Sequence, residues 1–97
     1  MNKLPLNEQY QLSLLQDILR NHQIDCCGTV SEYEQMQRLI HSLQGHKQVN
    51  NEMNNTLVDV YNYSLQGQNA DNIDDHILKH KENFEQWINN LNDLNLT

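Results

Sequence analysis

One proline and three glycines are all that interrupt 97 residues, at Pro5, Gly28, Gly45 and Gly67. Glycine and proline are the strongest local punctuation in a chain, so the stretches between them can run as single elements. Each stretch is of helical length, and in each the apolar residues recur three and four positions apart, the period of one helix face. No strand-like alternation persists for more than a few residues, and no Asn-Gly pair marks a hairpin.

Four periodic segments follow. The first runs from about Leu6 to Ile24, with Leu12, Leu15, Leu19 and His22 on one stripe and Leu14 and Ile18 widening it. Asn7 or Pro5 marks its start. Thr29-Val30-Ser31-Glu32 reads as a capping box, in which Thr29 accepts from the backbone near Glu32 and Glu32 reaches back to Thr29. Gly28, just before it, suits the left-handed position that often ends a helix. Asp25, Cys26, Cys27 and Gly28 then form a tight turn. The second helix is lined by Tyr33, Met36, Leu39, Ile40 and Leu43 and ends at Gly45. The third carries Val49, Met53, Leu57, Val60, Tyr61 and Leu65 and stops at Gly67. The fourth opens on Asp71, Asn72, Asp74 and Asp75, acidic groups suited to the positive end of a helix dipole. Its stripe of Ile73, Ile77, Phe84, Trp87, Ile88, Leu91 and Leu94 is the strongest in the chain, with Phe84 and Trp87 as core aromatics.

Helices of about 15–22 residues span roughly 22–33 Å, a good length match. Short connections favour antiparallel neighbours, so the expected fold is all-α: an up-and-down antiparallel four-helix bundle forming one domain over residues 1–97. A three-helix arrangement with a loose first segment is the alternative.

Hydrophobic residues make up 37% of the chain. That is below the roughly 45–50% of ordinary globular chains. Asn and Gln fill the difference, and the surviving apolar period separates this chain from a disordered one. Six basic against thirteen acidic residues give a net charge of −7, and the basic ones are scattered. An acidic surface without a basic stripe repels phosphate backbones, which argues against a nucleic-acid partner. It argues equally against docking on anionic membrane. No apolar run approaches the ~20 residues of a spanning helix. Met1-Asn2-Lys3-Leu4-Pro5 lacks the apolar centre of a signal peptide. The expected compartment is the cytoplasm, where Cys26 and Cys27 stay reduced.

Those cysteines are the chain's most chemical feature. Adjacent thiols can bridge, ligate a metal, sense oxidants or fill a turn, and a free Cys commonly behaves as a small buried apolar residue. The structural reading is preferred. No cation lies beside them in sequence to lower a thiol pKa; Asp25 would raise it, while the start of the second helix would lower it. In an up-and-down bundle, His22, Cys26 and Cys27 share an end with His76 and His80, which lie four apart on one helix face. Thiolate with imidazole suits zinc, but adjacent cysteines do not easily converge on one ion and no CxxC is present. His41 and His46 fall at the opposite end.

Other chemistries find less. No Glu is followed three residues later by His, as a di-iron bundle requires. The glycines are too dispersed for a phosphate loop. No Gly-x-Ser-x-Gly is present. Cysteine–histidine catalysis through Cys26 or Cys27 with His76 lacks a legible oxyanion hole. Asp74 and Asp75 read as dipole compensation rather than an acid–base pair.

The run Asp25-Cys26-Cys27-Gly28-Thr29-Val30-Ser31-Glu32 resembles a segment of the YtzH-like proteins of Bacillus and its relatives. The N-terminal "LNEQYQLSLLQDIL" helix and a C-terminal helix containing a Trp, here Trp87, extend the resemblance over nearly the whole chain. It implies a short helical protein and carries no activity, catalytic residue or cofactor. The expectation is a non-enzymatic protein-interaction or regulatory module with a protein partner or as a homodimer. The alternative is a metal- or redox-responsive protein using Cys26 and Cys27 with His22, His76 and His80.

Overall fold

A computed structural model describes residues 6–25, 28–45 and 51–95 of the chain. Cys26, Cys27, His46 and Val49 lie outside the described residues, as does the side chain of Leu94. All regular structure among the described residues is helical, in five elements: α1 (Leu6–Asp25), α2 (Val30–Gln44), α3 (Asn51–Gln68), α4 (Ile73–Lys79) and α5 (Lys81–Asn95).

The first two helices follow their stripes. Leu12, Leu15, Leu19 and His22 of α1 are fully buried, and Ile18 nearly so. In α2 the buried residues are Tyr33, Met36, Leu39, Ile40 and Leu43. Its start is the capping box: Glu32 N–H donates to Thr29 Oγ1 at 3.2 Å, and Thr29 N–H donates to Glu32 Oε1 at 3.1 Å. Gly45 caps the other end, its N–H returning to the His41 carbonyl. Gly28 has a different reason from the expected one. Its φ is not left-handed, but a Cβ there would stand 3.0 Å from His22 Nε2 and 3.1 Å from Ile77 Cδ1. Glycine lets the turn lie against α1 and α4.

α3 departs further. Gly67 does not stop it; the helix runs on to Gln68. The buried face is Met53, Thr56, Leu57, Val60, Tyr63, Ser64 and Gly67, with the expected Tyr61 and Leu65 only half-buried. Gly67 faces the Tyr33 ring, where a Cβ would be 2.7 Å from both Cε atoms. The bare backbone is what lets α2 and α3 close here. Asn69 Nδ2 then donates to the Leu65 carbonyl at 2.9 Å and finishes the helix.

The expected single fourth helix is divided in two at His80. Asn72 caps α4 by accepting from Asp75 N–H at 3.1 Å. At the far end, His80 Nδ1 donates to the His76 carbonyl at 2.9 Å, the acceptor that a continuing helix gives to the His80 backbone N–H. That N–H turns instead to the Ile77 carbonyl at 3.1 Å, a tighter three-residue closure. The side chain competes with the helix ladder, and the helix is interrupted at His80. Phe84, Trp87, Ile88 and Leu91 of α5 are buried as their stripe requires.

α1 packs on α2 and α5, and α3 packs on the same two, closing a ring; α4 adds to α3 and α5. Gln16 ties α1 to α5, donating from Nε2 to the Ile88 carbonyl at 3.3 Å. No described helix is long and apolar enough to cross a membrane.

Candidate functional site

The three histidines that the sequence places at one end converge on one phenol. Tyr63 of α3 has ring centroids of His22, His76 and His80 at 6.0, 4.7 and 5.0 Å. Tyr33, Phe84 and Trp87 complete its surroundings at 5.6, 5.3 and 5.5 Å. Most contacts are edge-to-face or tilted, the arrangements that ring quadrupoles favour, while His76 lies stacked on Tyr63 with 16° between planes.

Polar groups thread this cluster. His22 Nε2 lies 3.3 Å from Glu32 Oε1, and Nδ1 lies 2.9 Å from the Tyr63 hydroxyl. A carboxylate only accepts, so neutral His22 carries its proton on Nε2, and Nδ1 accepts from Tyr63 O–H. Tyr33 O–H approaches Tyr63 Oη at a long 3.4 Å. The capping box is thereby extended: one Glu32 oxygen accepts from both Thr29 N–H and His22 Nε2–H. The start of α2 is bonded to the end of α1 across the turn.

Burial sets the protonation states. It pushes the His22 imidazole below its ordinary value, against the Glu32 hydrogen bond and charge, which pull upward. It lowers His76 as well, opposed by the bond from Nε2 to the Tyr63 carbonyl at 3.0 Å. It drives both phenols upward, Tyr63 far above its ordinary value.

Tyr63, His22 and Glu32 stand in the order of nucleophile, base and orienting acid. Yet Tyr63 is 1% exposed and His22 0%, so a substrate cannot reach the hydroxyl. As a metal ligand only His22 is committed: its one lone pair is taken by Tyr63, whereas His76 and His80 each donate one N–H to a carbonyl and keep a lone pair on the other nitrogen. Among the described residues, no group of three His, Cys, Asp or Glu is placed to hold an ion.

The sequence pointed to His22, His76 and His80 and missed Tyr63 at their centre. The signal was present: three residues beyond Val60 on the buried face stands Tyr63, but polar Thr56, Ser64 and Gly67 on that face disguised the stripe.

A second feature lies on the flank. Between α3 and α5 runs a groove of about 370 Å³. Asn62 and Gln66 form one wall, and Asn83 and Gln86 the other. Buried Tyr63 and Trp87 form its floor. It continues into a second hollow of about 370 Å³ that reaches Glu52 and Asn55 and shares Asp59 and Asn90 with the first. Asn90 Nδ2 donates to Thr56 Oγ1 at 3.3 Å and fixes the two helices there. The Trp87 indole N–H has no acceptor among the described residues and is not sealed from solvent.

Fold and cluster together define a small all-helical protein whose histidine–tyrosine centre is internal packing and whose flank carries an amide-lined groove. The chain belongs to the YtzH-like protein family, whose sequence model matches residues 6–91. It is 46% identical over 83 residues to the Bacillus subtilis (strain 168) protein named "Uncharacterized protein YtzH", an alignment covering 86% of this chain and 90% of that relative. No solved structure matches the chain.

Proposed function

We infer that this chain is a non-enzymatic interaction or regulatory module of the cytoplasm, acting through a protein partner or a second copy of itself. One observation carries the reading. The groups with catalytic potential, His22 and Tyr63, are sealed and bonded to each other, while the groups left facing outward are recognition groups: side-chain amides, scattered carboxylates and single apolar residues such as Ile24 and Leu78. The fold reading that accompanies it is an up-and-down antiparallel four-helix bundle in which α4 and α5 together form the fourth member. The closed ring of packing among α1, α2, α3 and α5 supports it.

The test is a tagged full-length chain used to capture proteins from native lysate, with sedimentation of the purified chain alongside. A reproducible stoichiometric partner, or a dimer at micromolar concentration, is expected. A strict monomer that enriches nothing over a tag-only control would overturn the reading.

The metal- or redox-responsive alternative at Cys26 and Cys27 has less support, because both nitrogens of His22 are already engaged, by Tyr63 and Glu32, and no three described His, Cys, Asp or Glu residues are placed to hold an ion. Protein purified without added metal should contain no stoichiometric zinc. Replacing both cysteines by Ser should keep the helix content, with a loss of about 1–2 kcal/mol, typical of modest substitutions. Bound zinc that disappears on that double replacement would favour the alternative.

A further inference from the structure

The α3–α5 groove has a pattern of chemistry that internal packing does not require. Along α3, Asn55, Asp59, Asn62 and Gln66 follow one another at steps of four, three and four residues; along α5, Asn83, Gln86 and Asn90 step by three and four. A four-residue step on a helix advances about 6 Å. Two residues of an extended chain advance about 6.6–6.8 Å. A strand-like segment lying along the groove therefore meets a polar side chain, an amide or the Asp59 carboxylate, about once per two residues from either wall. Each amide offers both a donor and an acceptor, the complement of a peptide unit's carbonyl and N–H.

Charge and length narrow the occupant. The lining includes the carboxylates of Asp59 and Glu52 and no Lys or Arg, on a chain of net charge −7. A positively charged segment is steered toward such a surface and an acidic one is turned away. From Glu52 to Gln66 the wall runs about 21 Å, enough for roughly six extended residues. A sugar would need the open face of an aromatic ring, and nearly all of Trp87 and Tyr63 is covered. A bare metal ion would need three ligands, and among the described residues no such group exists.

We propose that the groove between α3 and α5 binds an extended, positively charged peptide segment of a partner protein, held by side-chain amides bonded to its backbone. The proposal rests on the interaction reading above and gives the partner's chemistry. Asn62, Asn83, Gln86 and Asp59 are exposed and belong to the binding face rather than the core. Trp87, the one tryptophan, sits at its floor and reports occupancy through its own fluorescence.

The probe is a fluorescein-labelled octapeptide of alternating lysine and serine, titrated into the full chain, beside the same peptide with alternate backbone amides N-methylated. Expected is saturable binding with a change in Trp87 emission, and loss of both with the methylated peptide, whose charge is unchanged. Asn62→Ala and Asn83→Ala should each weaken binding about five- to tenfold, the worth of one or two lost hydrogen bonds. Asp59→Asn should weaken it in low salt and matter little in high salt. Equal affinity for the methylated peptide, wild-type binding by both Asn variants, full displacement by spermidine or by a neutral oligosaccharide, or no binding at millimolar peptide would each overturn the proposal. Lysate capture separates the two levels. A partner held equally by wild type and by the Asn62→Ala, Asn83→Ala double variant leaves the interaction reading standing and removes the groove. No partner and no peptide binding remove both.

Discussion

Gly67 shows how much one missing methyl group decides. In sequence it looks like a stop signal, and glycine in a helix interior costs about 1 kcal/mol relative to alanine. The helix nevertheless passes through it, because the Tyr33 ring occupies the space a Cβ would take. That ring cannot simply swing aside: it is fully buried, with His22 at 5.4 Å and Tyr63 at 5.6 Å. Gly67→Ala should therefore destabilise despite its better helix propensity. Overpacking costs of about 1–3 kcal/mol, less the propensity gain of about 1 kcal/mol, leave a net loss of up to about 2 kcal/mol in urea unfolding. A stabilising result would show that α2 and α3 stand further apart. Tyr63→Phe keeps the ring contacts and removes only the donor to His22 Nδ1. A buried acceptor left unpaired costs about 1–3 kcal/mol, so the midpoint should fall with helix content unchanged. Retention of wild-type stability would mean that water or another group serves that nitrogen.

Among elements, legibility follows how apolar each buried face is. The stripes of α1, α2 and α5 consist mainly of Leu, Ile, Met and aromatic residues, with Gln16 and His22 as the polar members in α1, and the burial of the apolar ones could be read directly. In α3 the buried face contains Thr56, Ser64 and Gly67, so the period pointed toward Tyr61 and Leu65, which are only half-buried. The break between α4 and α5 was invisible, since no Gly or Pro marks it. It arises from a histidine ring that takes the carbonyl its own backbone would have used. The α2 start was legible because a capping box is a local pattern. Its further bond was not, because Glu32 to His22 crosses the turn. Thr29→Ala should cost about 0.5–2 kcal/mol, as N-cap truncations do. Glu32→Ala should cost at least as much, since it removes the acceptor of both Thr29 N–H and His22 Nε2–H. If Glu32→Ala is the milder of the two, the bond across the turn contributes little.

For the whole molecule, the internal site predicts an asymmetric dependence of stability on pH. His22 and His76 are buried as neutral rings, both held below their ordinary value by desolvation. Unfolded, each returns to about 6.5. As pH falls through that value the unfolded chain binds protons that the folded chain refuses, so stability decreases with falling pH. The contribution is fully present above about pH 7.5. Below 6.5 it is lost progressively, with a slope bounded at about 1.4 kcal/mol per pH unit for each ring, hence about 2.7 for both. On the alkaline side, Tyr33 and Tyr63 are held above their ordinary value, so stability declines again once the unfolded phenols ionise above about pH 10. Urea unfolding at intervals from pH 5.5 to 8.5 isolates the histidine arm, keeping above the range in which exposed carboxylates protonate. His22→Gln should reduce the acid slope whatever it does to the plateau, because a group that cannot titrate cannot contribute to it. A midpoint that stays level from pH 8.5 to 5.5 in the wild type would mean that the two imidazoles accept protons in the folded protein, with water reaching the centre of the bundle.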